Sequence, residues 1–164
     1  QMILERFRRH VLSFDMQRYG GVNTYPYRTL NGPFVVLTNE FAGSDGDIFP
    51  AAVQLEGLAP VIGMRSWGGV VGIRADKRLQ DGGIVTLPEF AWWDPRWGWG
   101  LENRGVVPDI ELQNLPQDLA RGVDAQLDRA IAEVTTLAAA RPQVKPAPGP
   151  VRQRSRAAFA GELP

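Results

Sequence analysis

Three observations predict an α/β fold for this chain. Phe34-Val35-Val36-Leu37 is a short apolar run of the kind that forms a strand covered on both faces. Small and helix-starting residues follow it, from Ala42 to Asp47. A second apolar run, Pro60 to Gly63, closes a strand–helix–strand unit of about 30 residues, and such units are almost always parallel.

Ile3, Leu4, Phe7, Val11 and Leu12 recur at helical spacing, with Glu5, Arg6, Arg8 and Arg9 on the other face, so a helix is expected over residues 1–13. Residues 14–33 read as loop, punctuated by Gly20-Gly21, Pro26 and Asn31-Gly32-Pro33. The helix after the corner should run to Gln54 or Leu58, with Ile48, Phe49, Ala52, Val53 and Leu55 apolar. Pro50 is tolerated near its first turn, and Gly57 is a plausible stop. From Arg65 to Leu112 the pattern is strand and loop. Asp81-Gly82-Gly83 signals a turn before Ile84-Val85-Thr86-Leu87, and residues 90–101 hold four of the five tryptophans. Leu119, Val123, Leu127, Ile131, Val134 and Leu137 predict one amphipathic helix from about Pro116 to Ala140. Residues 141–164 are rich in Pro, Ala, Arg and Gln and are expected to form a flexible tail.

Composition narrows the function. At 164 residues the chain suits a single domain with a real core. Its formal net charge is zero, so no global field favours nucleic acid or an anionic membrane as a partner. The absence of cysteine excludes disulfides, thiolate metal sites and a Cys nucleophile, and it favours a cytoplasmic setting. No apolar run approaches the roughly 20 residues that span a bilayer, and no signal peptide is visible. The chain begins at Gln1 rather than Met and is expected to be a piece of something longer.

The chemistry centres on the corner. Ser44 lies where a strand gives way to a helix start, and backbone N–H groups converge there. A hydroxyl so placed suits a nucleophile whose attack generates an oxyanion. On local pattern alone, a Ser that only caps the helix is the commoner case. The spacing of Glu40, Asp45 and Asp47 fails the calcium-loop pattern, and one histidine without cysteine does not build a zinc site. No metal or cofactor is expected. The tryptophans at 92, 93, 97 and 99 are read as loop packing or subunit contact in preference to a ligand platform.

Three segments together resemble the catalytic domain of the tricorn protease family, serine peptidases of the tail-specific-protease clan. They are NEFAGSDGDIFP (39–50), GMRSWGGVVGI (63–73) and ENRGVVPDIEL (102–112). The resemblance implies a ClpP/crotonase-like βαβ spiral core over residues 1–140. It makes Ser44 the nucleophile and the backbone N–H of Asp45 an oxyanion donor. It makes Glu102 the acid that orients a Ser-His pair through that pair's serine. Asp15, in the loop after the first helix, is implied as a substrate-binding carboxylate that reads a basic side chain across a subunit boundary. Peptide substrates and a homohexamer follow from the same resemblance. The chain departs from the family in holding no catalytic base: His10, its only histidine, sits among Arg8 and Arg9 in the expected first helix. The Ser-His pair and the second oxyanion donor are therefore expected upstream, and the fragment alone is expected to be inactive. The alternative is a non-catalytic peptide-binding or assembly domain that keeps the fold.

Overall fold

The computed structural model describes residues 1–17 and 20–147. Its centre is the expected crossover. Strand β3 (Val36–Thr38) leads through the corner into helix α2 (Asp45–Leu55), which returns to strand β4 (Val61–Gly63), and β3 and β4 pair in parallel. A third parallel strand, β7 (Ile110–Glu111), joins on the far side of β4, so the sheet order is β3-β4-β7. Burial of all three β4 residues accounts for their unbroken apolar character.

Two apolar clusters flank α2. Val36, Val53 and Val61 pack between the helix and the sheet, with Leu4, Phe34 and Phe49 around them. Ala51, Val70, Leu101 and Val106 pack on its other side, with Ile48, Trp92 and Trp97 against them. Val53 of α2 is thus held on the sheet side, and Ala51 by the long 66–106 excursion. Within that excursion, β5 (Gly72–Arg78) and β6 (Ile84–Phe90) form an antiparallel hairpin around the expected Asp81-Gly82-Gly83 turn.

Three expectations need correction. Helix α1 covers only Met2–Phe7, not residues 1–13. Beyond it Leu12 N–H donates to Tyr25 C=O, and β1 (Ser13–Met16) pairs antiparallel with β2 (Val22–Tyr25) inside the stretch read as loop. A helix this short is marginal by itself, so cross-strand pairing wins over the continued helical spacing of Val11 and Leu12. The helix expected from Pro116 to Ala140 is two: α3 (Pro116–Leu119) and α4 (Ala125–Ala140). Gly122, at φ +76°, ends the first, and the Asp124 carboxylate caps the second by accepting from Leu127 N–H. On α4 the buried residues are Gln126 and Ala130, whereas Leu127 and Ile131 are exposed.

Of the expected tail, residues 141–147 have no helix or strand, and Val144 C=O accepts from the Asn31 side chain at 3.2 Å. Residues 148–164 lie outside the described residues. Among the described residues no helix is long and apolar enough to cross a membrane.

Candidate active site

The corner between β3 and α2 is built around Ser44. Its backbone is strained, at φ 57° and ψ −115°, a conformation that costs a non-glycine residue on the order of 1–3 kcal/mol unless its surroundings enforce it. Ser44 is the N-cap residue of α2 by position, yet its hydroxyl makes no capping hydrogen bond, and the residue is exposed. Its C=O accepts from the N–H groups of Asp47 and Ile48, both at 2.9 Å. The N–H of Asp45, first residue of the helix, has no hydrogen-bond partner among the described residues. The corner therefore presents a free hydroxyl beside a free backbone donor at the positive end of a helix.

What enforces the strain is the segment from Trp67 to Val71, which passes the corner and acts as a strap. Gly69 C=O accepts from Ser44 N–H at 3.0 Å, and Ala42 C=O accepts from Trp67 N–H at 2.9 Å. The four N–H groups that follow Trp67 are all taken by two carboxylates. Asp47 Oδ1 accepts from Gly68 at 2.8 Å and Asp47 Oδ2 from Gly69 at 3.1 Å. Glu102 Oε2 accepts from Val70 at 2.7 Å and Val71 at 2.9 Å. Hydrogen bonds to a charged group contribute roughly 1.5–3 kcal/mol each where solvent is excluded. Asp47 is fully buried and falls within that condition.

Local sequence permits this close packing. The Trp67 ring lies against Gly43, where a Cβ would come within 2.6 Å of the indole Cε3. Gly68, at φ +85°, packs backbone to backbone against Arg104 and Gly105, and its C=O accepts from Asn103 N–H at 2.7 Å. The turn that carries Glu102 is in this way tied to the strap from both directions. Leu101, fully buried beside it, anchors the turn in the apolar cluster behind α2.

Ser44, Asp45 and Glu102 thus gather around one strap. Asp47, expected only as a helix-start residue once the calcium-loop pattern fails, joins them; its signal in the sequence is its place three residues after Ser44, on the first turn. Asp15 is not in a loop. It sits in β1 opposite Asn23, exposed, because the 13–16 segment pairs as a strand. His10 lies beyond the end of α1, exposed, and makes no hydrogen bond among the described residues. Lys77 is in β5, exposed, 3.9 Å from Asp76. Trp92 and Trp97 pack on the core, with the guanidinium groups of Arg96 and Arg104 over the Trp97 ring at 4.1 and 5.0 Å, while Trp93 and Trp99 are exposed. A cleft of about 140 Å³ adjoins the corner, lined by Leu37, Thr38, Asn39, Ala42 and Gln126.

The family model of Peptidase family S41 matches residues 5–112, which include the corner, the strap and Glu102; the chain belongs to that family. Within it, the similarity is to tricorn proteases. The chain is 47% identical over 132 residues to tricorn protease homolog 1 of Streptomyces coelicolor, covering 80% of this chain and 12% of that protein. It is 45% identical over 131 residues to the tricorn protease of Thermoplasma acidophilum, again covering 80% and 12%. The crystal structure of tricorn protease superposes with a TM-score of 0.77 at 44% identity, covering 83% of this chain and 13% of that one. The chain therefore spans about an eighth of the length of these relatives. A crystal structure from Parabacteroides merdae shares the fold at 20% identity and a TM-score of 0.57.

Proposed function

We propose that this chain is the nucleophile-bearing part of a tricorn-like serine peptidase that hydrolyses oligopeptides. The observation that carries the proposal is the strained corner, with the Ser44 hydroxyl released from capping and the Asp45 N–H unpartnered beside it. Ser44 Oγ attacks the scissile carbonyl carbon, its proton passes to a base, and the bond to the leaving amine breaks when that base returns the proton. Asp45 N–H donates to the oxygen as negative charge develops, a type of contact that lowers the barrier by a few kcal/mol.

The base, the residue that positions it and the second oxyanion donor come from outside these 164 residues. Glu102 orients that Ser-His pair: Oε2 is occupied by the strap, while Oε1 has no partner among the described residues and is left to accept from an incoming hydroxyl. Asp15 reads a basic side chain of the substrate from a neighbouring subunit. Its exposed position on the β1–β2 hairpin supports that role. The parallel β3-α2-β4-β7 arrangement is the part of a ClpP/crotonase-like spiral contained in residues 1–140, with α4 as its amphipathic C-terminal helix and the residues beyond as a tail. Homohexameric assembly and a cytoplasmic setting complete the reading, the latter supported by the lack of cysteine.

A fluorophosphonate probe followed by peptide mass mapping tests the proposal. In the longest natural form of the polypeptide, label is expected on Ser44; on this chain alone, none. No label on Ser44 in a form that contains the Ser-His segment would overturn the peptidase reading and leave the non-catalytic peptide-binding domain in its place.

A further inference from the structure

We infer that Asp47 is a positioning residue for the nucleophile, acting on Ser44 through Gly69. The inference rests on the peptidase reading above and adds to it a residue that touches neither substrate nor base. Three hydrogen bonds close a circuit. Ser44 C=O accepts from Asp47 N–H at 2.9 Å, Asp47 Oδ2 accepts from Gly69 N–H at 3.1 Å, and Gly69 C=O accepts from Ser44 N–H at 3.0 Å. Ser44 N–H is therefore tied to Gly69 and Ser44 C=O to Asp47, with Ile48 N–H sharing that oxygen at 2.9 Å, and the circuit holds the backbone at a positive φ.

The carboxylate is unusual for its place. An acidic residue in the first turn of a helix ordinarily faces solvent or accepts from its own helix's free N–H groups. Asp47 has no exposure, and both its oxygens accept from another segment of the chain, Gly68 and Gly69. A neutral amide of the same shape keeps one acceptor; with that oxygen on Gly68 N–H, the shorter of the two contacts, its NH2 group faces Gly69 N–H, which opens the circuit while preserving volume. Freed from Gly69, the Ser44 backbone relaxes and its hydroxyl moves relative to Asp45 N–H. Misplacement by about 1 Å is enough to cost on the order of a hundredfold in rate.

The test uses the longest natural form of the polypeptide. Asp47→Asn should lower the rate constant for fluorophosphonate labelling of Ser44, and kcat for a peptide substrate, by 10- to 100-fold per folded molecule, with KM within about threefold. Val53→Ala, fully buried on the sheet side of the same helix, serves as a matched control. It should lower the melting temperature yet label at the wild-type rate. If Asp47→Asn does not fold, the same rate is read in Asp47→Ser. Labelling of either Asp47 variant at the wild-type rate would overturn the inference, as would a loss in Val53→Ala as large as that in Asp47→Asn. An unlabelled wild-type Ser44 is a different result: it removes the peptidase reading itself, and this inference with it.

Discussion

Ser44 and Gly69 are 25 positions apart in the chain and joined by one backbone hydrogen bond of 3.0 Å, from the serine N–H to the glycine C=O. Through that bond the β3–α2 corner is made part of the 67–71 strap, whose N–H groups from Gly68 to Val71 end on Asp47 and Glu102. The strain at Ser44, the burial of Asp47 and the placement of Glu102 are consequences of a single packing arrangement.

Replacing Ser44 by Ala should abolish fluorophosphonate labelling at this position. Peptide hydrolysis by the longest natural form should fall by about 10⁴-fold or more, because the attacking oxygen is gone and only oxyanion stabilisation and substrate binding are left to act. The fold should be unaffected, since the Ser44 hydroxyl caps nothing, and an unchanged melting temperature checks that.

Glu102→Gln should act on both stability and rate. If its amide oxygen keeps the Val70 and Val71 bonds, the loss of charge weakens two charge-assisted contacts, at a combined cost of about 1–2 kcal/mol. The site is half-buried, which sets that figure at the low end. Denaturant titration measures the first effect. The second is a fall in kcat, read at saturating peptide, because a neutral amide no longer stabilises a base that becomes positively charged in the reaction.

Asp15→Asn is expected to change selectivity more than turnover. For paired substrates that differ only in the residue before the cut, kcat/KM should fall about tenfold or more for Lys or Arg and stay within twofold for Leu. Equal losses for all three would remove Asp15 from the substrate-reading role.

Asp124 supplies a pH dependence. Its carboxyl is held below the ordinary value near 3.8, first by the backbone N–H of Leu127 and then by the Asn114 side chain. A carboxyl lowered in the folded state contributes stability that is complete above its unfolded value and is lost as pH falls through the folded one. Asp124→Asn keeps an oxygen for the cap but no charge. The wild-type advantage in melting temperature over this variant should therefore be constant above pH 5 and should shrink below pH 4.

Leu101→Ala tests the support behind Glu102. Leu101 is fully buried among Ala51, Val70 and Val106, and removing it should destabilise the protein by about 2–5 kcal/mol, read by denaturant titration.

The β3-α2-β4 crossover, its parallel pairing and the position of Ser44 at the helix start were legible from order and residue type. They depend on local signals: an apolar run, small turn residues and a second run at the right distance. The break at Gly122 was equally local, a glycine two residues before a capping aspartate, and was masked by apolar spacing that continues across it. The β1–β2 hairpin was not legible, because Val11 and Leu12 extend a helical spacing that only cross-strand partners overrule. Asp15 accordingly lies on a strand where a loop was expected.

Taken by itself, the sequence determined which residue is the nucleophile candidate, which element follows it and which family motifs surround it. Only the tertiary structure decided what holds Ser44 in its strained conformation. Gly69 reaches Ser44 through its backbone C=O, and the Asp47 and Glu102 carboxylates reach the backbone N–H groups of the strap. Every residue but proline carries both of those groups, so no side-chain pattern marks which will pair. Burial selects them: once α2 packs between the sheet and the strap, each polar group trapped at that interface must find a partner, and two carboxylates are what the fold places within reach.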